Sequence, residues 1–271
     1  MNKKIIFLGI SLILVAGIFS GCFSVTKKGS LEGEVWGENG PLVGAVVEGE
    51  GSTVITGEGG KFLIEGLSPG EHYLFFSCSG YTGEVVKAEV KAGETQKINQ
   101  EGRVYLALQT EENLKDYIFE LYALGFYERT IYQADLFLNS YSGGSFLPQV
   151  LFIRGASFYY LGNFSAAISS LSSVVDSYPD SEFSDDAQYL LAKSFSEGLR
   201  DYERAIVEYQ RLVDNYPESD LLGVAYYEMG DCYYILGSYE EAYSNYQKAQ
   251  EYGGEVGRKA LYSAAHCLYK L

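Results

Sequence analysis

The sequence predicts a multidomain β + α chain, a small β-sandwich followed by an α-helical repeat solenoid, and three observations carry that expectation. Residues 31–108 hold short β-favouring runs between Gly-rich turns. Residues 111–271 repeat themselves, with 38 positions from Ala167 to Ala205 and 37 from Ala205 to Ala242. Composition also changes at the junction: residues 22–110 contain 12 Glu and no Asp, whereas the remainder carries both acids and most of the 25 Tyr. At 271 residues and 47% hydrophobic content the chain can bury two cores, which excludes disorder throughout. Its net charge of −16 repels phosphate backbones, so nucleic acid is not an expected partner. With His72 and His266 the only histidines, multi-histidine metal sites are excluded by counting, and no cofactor is expected.

The chain opens on Asn2-Lys3-Lys4 and an apolar run from Ile5 to Phe19, closed by Ser20-Gly21 before Cys22. This pattern reads as a signal peptide over residues 1–21, since the run is shorter than the ~20 residues a membrane-spanning helix needs. The junction Phe19-Ser20-Gly21-Cys22 resembles the lipobox of bacterial lipoproteins, with Phe19 where Leu is usual. The resemblance implies that Cys22 is acylated and becomes the new amino terminus; the alternative is an ordinary signal peptide with a free Cys22. Residues 22–30 then form a tether, and each buried acyl methylene adds roughly 0.8 kcal/mol of membrane affinity. Losing Lys3 and Lys4 leaves 18 basic and 36 acidic residues, a mature charge of −18. Phe23 and Ser24 lack the Asp that retains lipoproteins at the inner membrane. Similarity to lipoproteins of two-membrane organisms therefore implies an outer-membrane location facing the periplasm, and otherwise the cell surface.

Seven strands are expected: Leu31 to Trp36, Val43 to Val47, Thr53 to Thr56, Lys61 to Ile64, His72 to Cys78, Val85 to Val90 and Lys97 to Leu108. Glycines at Gly57, Gly59 and Gly60 predict a hairpin between the third and fourth. The two-residue period of a strand puts Leu74, Phe76 and Cys78 on one face and Tyr73, Phe75 and Ser77 on the other. Gly33-Glu34-Val35, Gly40-Pro41-Leu42-Val43-Gly44-Ala45-Val46-Val47, Gly59-Gly60-Lys61-Phe62, Pro69-Gly70-Glu71-His72-Tyr73 and Gly80-Tyr81 together resemble the carboxypeptidase regulatory-like family. That resemblance implies a prealbumin-like sandwich over residues 31–108 with a stabilising or binding role and no peptidase activity. Glu71 and His72 point to opposite faces and cannot chelate one ion, so His72 reads as structural. Trp36 reads as packing or, less simply, as a sugar-stacking platform.

In the helical part, Ala167, Ala205 and Ala242 each precede a bulky residue by four, Leu171, Tyr209 and Tyr246, which places both on one helical face. Gly155, Gly162, Phe164 and Pro179 recur as Ala192, Tyr202 and Pro217, and as Gly230, Gly237 and Tyr239. This series resembles the tetratricopeptide repeat, and the resemblance implies a helix-turn-helix solenoid over residues 109–271. Surplus residues fall after Pro179, after Pro217 and near Gly198. Glu111 to Ser142 reads as a degenerate first repeat with Gly125-Phe126-Tyr127 as its turn and Thr130 in place of Ala. Arg258 to Leu271 reads as a capping helix with Ala260 and Ala265 in the small positions. Ser177-Tyr178-Pro179-Asp180-Ser181 and Asn215-Tyr216-Pro217-Glu218-Ser219 resemble an envelope subgroup of interaction scaffolds.

If the array folds as that family does, the first helix of each repeat lines a concave face. By register, one row is Lys115, Phe152, Tyr189, Tyr227 and Tyr262, and a second is Tyr122, Tyr159, Ser196, Tyr234 and Tyr269. Phe119, Ala156, Lys193, Asp231 and His266 lie between them. The rings suit recognition of a peptide or protein partner, with tight packing between helices as the alternative. Asp231 and His266 without a nucleophile make no relay, and no enzymatic chemistry is expected. Glycan or peptidoglycan binding through Trp36 or the same tyrosines is the second functional reading. Cys232 and Cys267 hold equivalent positions, but helices ~8–10 Å apart exceed the ~7 Å limit between bridged Cα atoms, which favours buried thiols. Oligomeric state is not legible. Cys22→Ala is expected to abolish incorporation of labelled palmitate and to release the protein from membranes, measured by autoradiography of membrane and soluble fractions.

Overall fold

A computed structural model describes residues 27–271; the expected signal segment and Cys22 lie outside the described residues. Among the described residues nine strands precede nine α-helices: β1 (Gly29–Gly37), β2 (Gly40–Pro41), β3 (Val46–Gly49), β4 (Ser52–Ile55), β5 (Lys61–Leu67), β6 (Gly70–Ser77), β7 (Glu84–Val90), β8 (Thr95–Lys97) and β9 (Arg103–Tyr105), then α1 (Glu111–Ala123), α2 (Tyr127–Ser140), α3 (Leu147–Tyr160), α4 (Phe164–Ser177), α5 (Ser184–Lys193), α6 (Tyr202–Asn215), α7 (Leu222–Ile235), α8 (Tyr239–Glu251) and α9 (Gly254–Lys270). Strand gives way to helix around Thr110, whose hydroxyl accepts the Asn113 amide at 3.1 Å and caps α1.

Two sheets close on one core. In the first, β1 pairs antiparallel with β2 and β5 and parallel with β8 and β9; the second runs β4-β3-β6-β7. Leu31, Val35, Ile64 and Leu67 of the first sheet meet Val47, Leu74, Phe76 and Val90 of the second, and Phe62 stands edge-on to Phe76 at 5.5 Å. Three strand expectations are corrected. The strand expected from Val43 begins at Val46, and the stretch from Lys97 to Leu108 is two short strands parted by a turn in which Asn99 accepts the Gly102 and Arg103 amides. The hairpin between β4 and β5 does not form. The turn closes locally, with the Gly57 amide on the Lys61 carbonyl at 2.9 Å, but β4 pairs with β3 and β5 with β1, so this turn carries the chain from one sheet to the other. Gly60 is essential to that crossing: at φ +70° it sits where a Cβ would lie 2.4 Å from the Val35 carbonyl.

The helices pack in consecutive pairs around two cores, one running from Leu114 to Cys232 and a second from Ala242 to Cys267, with Tyr226 and Tyr233 packed against both. Ala167, Ala205 and Ala242 are fully buried, as are Leu171, Tyr209 and Tyr246 four residues on. Gly155 and Gly230 do the same work on the partner helices, since a Cβ there would sit 2.8 Å from Leu171 and 2.7 Å from the Tyr246 ring. In the first repeat Thr130 is buried, and its hydroxyl returns to the Phe126 carbonyl at 3.0 Å, which satisfies the polar atom that Ala would lack. The surplus residue near Gly198 is absorbed as a π-helical segment, Ser194–Leu199, ending in a left-handed Arg200 at φ +54°. Gly198 packs there against the Phe164 ring, with no room for a side chain. The last helix begins at Gly254; of its two expected small positions Ala260 is buried, whereas the second is taken by Ala264, with Ala265 exposed. Cys78, Cys232 and Cys267 are free thiols.

The sandwich does not stand apart from the helices. Tyr73, Phe75 and Val85, on the outer face of the second sheet, pack on Tyr117, Leu121 and Phe126 of the first repeat. Phe126 meets Tyr73 and Phe75 edge-on at 5.2 and 4.8 Å. Arg129 lies 3.9 Å over the Phe75 ring and pairs with Glu48 at 2.6 Å. Burial at this seam, with Glu120 nearby, pushes the Glu84 carboxyl up to about 7. A carboxyl raised in the folded state contributes stability that is complete below its ordinary range near 4.5 and is lost as pH rises through about 7. Glu84→Gln is therefore expected to match the parent protein near pH 4.5 and to exceed its stability at pH 8 by on the order of 1 kcal/mol, allowing for partial solvent exposure, in denaturant titrations followed by fluorescence.

Candidate functional site

The first helices of successive repeats, α1, α3, α5, α7 and α9, lie side by side and present a run of aromatic rings. At the amino-terminal end Tyr122 of α1 packs against Tyr127 at 5.8 Å and Tyr160 at 6.3 Å, and Tyr127 stacks on Tyr160 at 5.1 Å. Burial and the neighbouring phenols hold the Tyr122 hydroxyl far above the usual tyrosine range. Phe119 and Phe152 do not reach a groove as open surface. Phe152 is 4% exposed and sits 5.4 Å from Phe183, with half-buried Phe119 6.4 Å from the same ring. Phe183, in the linker before α5, caps this part of the row from above; its β-turn position gave no periodic signal in the sequence.

In the middle of the row the chain supplies its own cation. The Lys193 ammonium lies 5.9 Å from the Tyr159 ring and 5.7 Å from the Tyr189 ring and pairs with Glu197 at 3.0 Å. The Tyr159 hydroxyl donates to the same Glu197 carboxylate. Ser196, expected in this row by unbroken α-helical register, is buried instead. The π turn shifts the last positions of this helix by one residue, so that Glu197 takes the exposed place. Glu228 of α7 joins the row, with its carboxyl raised to about 6 by burial and lowered in part by Lys193.

At the carboxy-terminal end the row opens. Asp231, Tyr234, Tyr246, Tyr262, Ser263 and His266 line a cavity of about 320 Å³. Tyr246, the bulky residue four after Ala242, is buried, yet its hydroxyl passes between the helices and donates to Asp231 Oδ1 at 2.5 Å. Tyr227 stacks obliquely on Tyr246 at 5.6 Å. Burial raises the Asp231 carboxyl, against the lowering by the Tyr246 and Tyr227 phenols. Tyr262 is 71% exposed, 5.4 Å from the His266 ring, and Tyr269 is 86% exposed on the last turn. Asp231 and His266 thus face one cavity, with no nucleophile beside them other than hydroxyls. Among the described residues no group of three or more His, Cys, Asp or Glu is placed to hold a metal ion, and no helix is long and apolar enough to cross a membrane.

In the sandwich, His72 Nε2 sits 2.6 Å from the Ser68 carbonyl and its Nδ1 3.6 Å from Glu50, a local turn contact. The Trp36 indole donates to Glu34 at 3.0 Å, and the Arg103 guanidinium covers its ring at 4.5 Å, which leaves that ring face closed to a stacked sugar.

Residues 149–181 and 186–219 match one family model of the tetratricopeptide repeat, and residues 224–252 match a second. No curated protein matches the chain. Among solved structures, the apo form of RapI is similar at 17% identity, covering 60% of this chain and 50% of that one with a TM-score of 0.53. A tetratricopeptide repeat protein from Parabacteroides merdae is similar at 18% identity, 58% and 59% coverage and a TM-score of 0.50. MamA from Desulfovibrio magneticus RS-1 is similar at 22% identity, 53% and 75% coverage and a TM-score of 0.46. The first two likenesses show a shared helical-repeat fold. The buried phenols of this face yield a direct check: in a spectrophotometric alkaline titration, Tyr122, Tyr159, Tyr189, Tyr209 and Tyr246 are expected to stay protonated until the protein unfolds, so the reversible phase falls short of the full tyrosine count.

Proposed function

We propose that the protein is a non-catalytic, lipid-anchored scaffold of the cell envelope whose repeats bind an extended segment of a protein partner along the aromatic row. The observation that carries this reading is the row itself, a series of rings from Tyr122 to Tyr269 edged by Glu197, Glu228 and Asp231, with the Lys193 ammonium set between Tyr159 and Tyr189. Tetratricopeptide repeats suggest protein partners, and the acidic balance of residues 111–271, 11 basic against 24 acidic, favours a segment with positive charge. Each engaged ring is worth roughly 1.5–3 kcal/mol against an association cost of ~4–15 kcal/mol, so four or five rings give micromolar affinity at best. That suits a protein concentrated on a membrane by its anchor. The signal peptide rests on the basic start and apolar run before Cys22, the anchor on the lipobox resemblance, and the outer-membrane location on Phe23 and Ser24 standing where Asp would retain the protein. The amino-terminal unit, read as a carboxypeptidase regulatory-like, prealbumin-like sandwich, acts here as a rigid spacer packed onto the first repeat.

A photo-crosslinking residue at Tyr269 is expected to capture a protein partner in native membranes, and the same residue at Glu203, exposed on a second helix, is not. Tyr159→Ala combined with Tyr227→Ala is expected to lower that capture about tenfold with unchanged helicity by circular dichroism. Equal capture by the variant and the parent protein overturns the reading.

A further inference from the structure

Asp231 stands in the third full repeat at the position that Lys193 holds in the repeat before it, and the two positions have contrasting surroundings. Around Lys193 the chain has assembled a complete cation site: two tyrosine rings within 6 Å of the ammonium, and a carboxylate, Glu197, at 3.0 Å. One repeat later the rings and the carboxylate are present again as Tyr234, Tyr262 and Asp231, around an open cavity of about 320 Å³. No ammonium fills it. Lys193 is engaged in its own repeat, and Lys259, on the neighbouring helix, is tied to Glu255 at 2.8 Å.

We propose that this cavity is a subsite for one cationic side chain, lysine or arginine, of the segment bound along the aromatic row. The inference rests on the peptide-binding reading and goes beyond it by naming what enters, and where. Asp231 is positioned for the task. Its Oδ1 accepts the Tyr246 hydroxyl, and the Tyr227 ring packs obliquely on Tyr246 behind it, so the carboxylate is oriented and partly desolvated but paired with no charge; no ion pair among the described residues includes it. A carboxylate has about four lone-pair sites, and one neutral donor leaves capacity for a charged one. The support beneath is built into the fold. Gly230 leaves the space that the Tyr246 ring occupies, because a Cβ there would lie 2.7 Å from it, and without that close approach the hydroxyl would not reach Asp231.

The cavity discriminates by physical necessity. An aliphatic side chain entering it would strip water from Asp231 and return no hydrogen bond. An acidic one would meet Asp231 directly and Glu228 one turn away on the same helix face. An ammonium or guanidinium gains the carboxylate together with the rings of Tyr234 and Tyr262. His266, on the rim beside Tyr262, adds an imidazole able to accept a hydrogen bond when neutral.

The test uses the whole chain and four small probes, the N-acetyl methylamides of lysine, arginine, norleucine and glutamate, titrated while the ring resonances of Tyr234, Tyr262 and His266 are followed by NMR. The expected result is saturable shifts with the lysine and arginine probes, and binding at least about tenfold weaker for norleucine and glutamate. Asp231→Asn is expected to erase the preference of lysine over norleucine. Ser263→Lys, which brings an ammonium into the cavity from within and leaves Asp231 in place, is expected to abolish probe binding with the helical spectrum unchanged. Equal binding of lysine and norleucine probes to the parent protein overturns the proposal, as does a preference that survives in Asp231→Asn. If charge discrimination is absent while crosslinked capture at Tyr269 persists, the cation subsite alone is lost. If discrimination persists while capture is insensitive to the Tyr159 and Tyr227 substitutions, the peptide reading is lost instead.

Discussion

The helical array depends on how closely one helix can approach the next. At the centre of two of the pairs a residue with almost no side chain faces one with a large side chain: Gly155 faces Leu171, and Gly230 faces Tyr246. Ala167, Ala205 and Ala242 provide the reciprocal gap and are fully buried. Interiors pack at close to crystalline density, so an extra methyl at such a contact has nowhere to go. The aromatic row inherits its spacing from these contacts. Between α1 and α3 this brings the rings of Tyr122 and Tyr160 to 6.3 Å.

The same closeness links core to site. Tyr246 is chosen by its repeat as the bulky filler opposite Gly230, and it finishes as the hydroxyl that orients Asp231. A packing residue thus becomes part of the candidate binding surface through its polar tip, as buried tyrosines commonly find a partner for the hydroxyl. The π turn at Ser194–Leu199 is a comparable case. One surplus residue has to go somewhere, and its accommodation turns Glu197 rather than Ser196 toward Lys193 and Tyr159. The cost is a left-handed Arg200 and a glycine pressed on Phe164.

The seam between sandwich and solenoid shows a different logic. Strand β6 is apolar on both faces, with Leu74 and Phe76 turned to the sandwich core and Tyr73 and Phe75 turned to the first repeat. An antiparallel sheet with one face in water alternates apolar and polar residues; a sheet covered on both faces does not. Arg129 closes the seam by serving two groups at once, the Glu48 carboxylate and the Phe75 ring. The β-sandwich is thereby held against the array as a packed neighbour.

The sequence by itself determined the order of the elements, the small-and-bulky period of the repeats, the turn at Gly125-Phe126-Tyr127 and the faces of β6, because each follows from local spacing on a helix or strand. It also placed Tyr234, Tyr262, Asp231 and His266 on one face by register alone, and all four line one cavity. It could not decide which strands pair. The turn at Gly57–Gly60 satisfies hairpin chemistry locally, yet the competition of β1 and β3 for partners sends β4 and β5 to different sheets. Nor could it separate rings that line a surface from rings that fill a core. Phe152 and Tyr262 occupy equivalent positions in the repeat, but one is covered by Phe183 from the linker before α5 and the other stands exposed on α9. Exposure is a property of what packs on a residue from elsewhere in the chain, and only the tertiary structure supplies that.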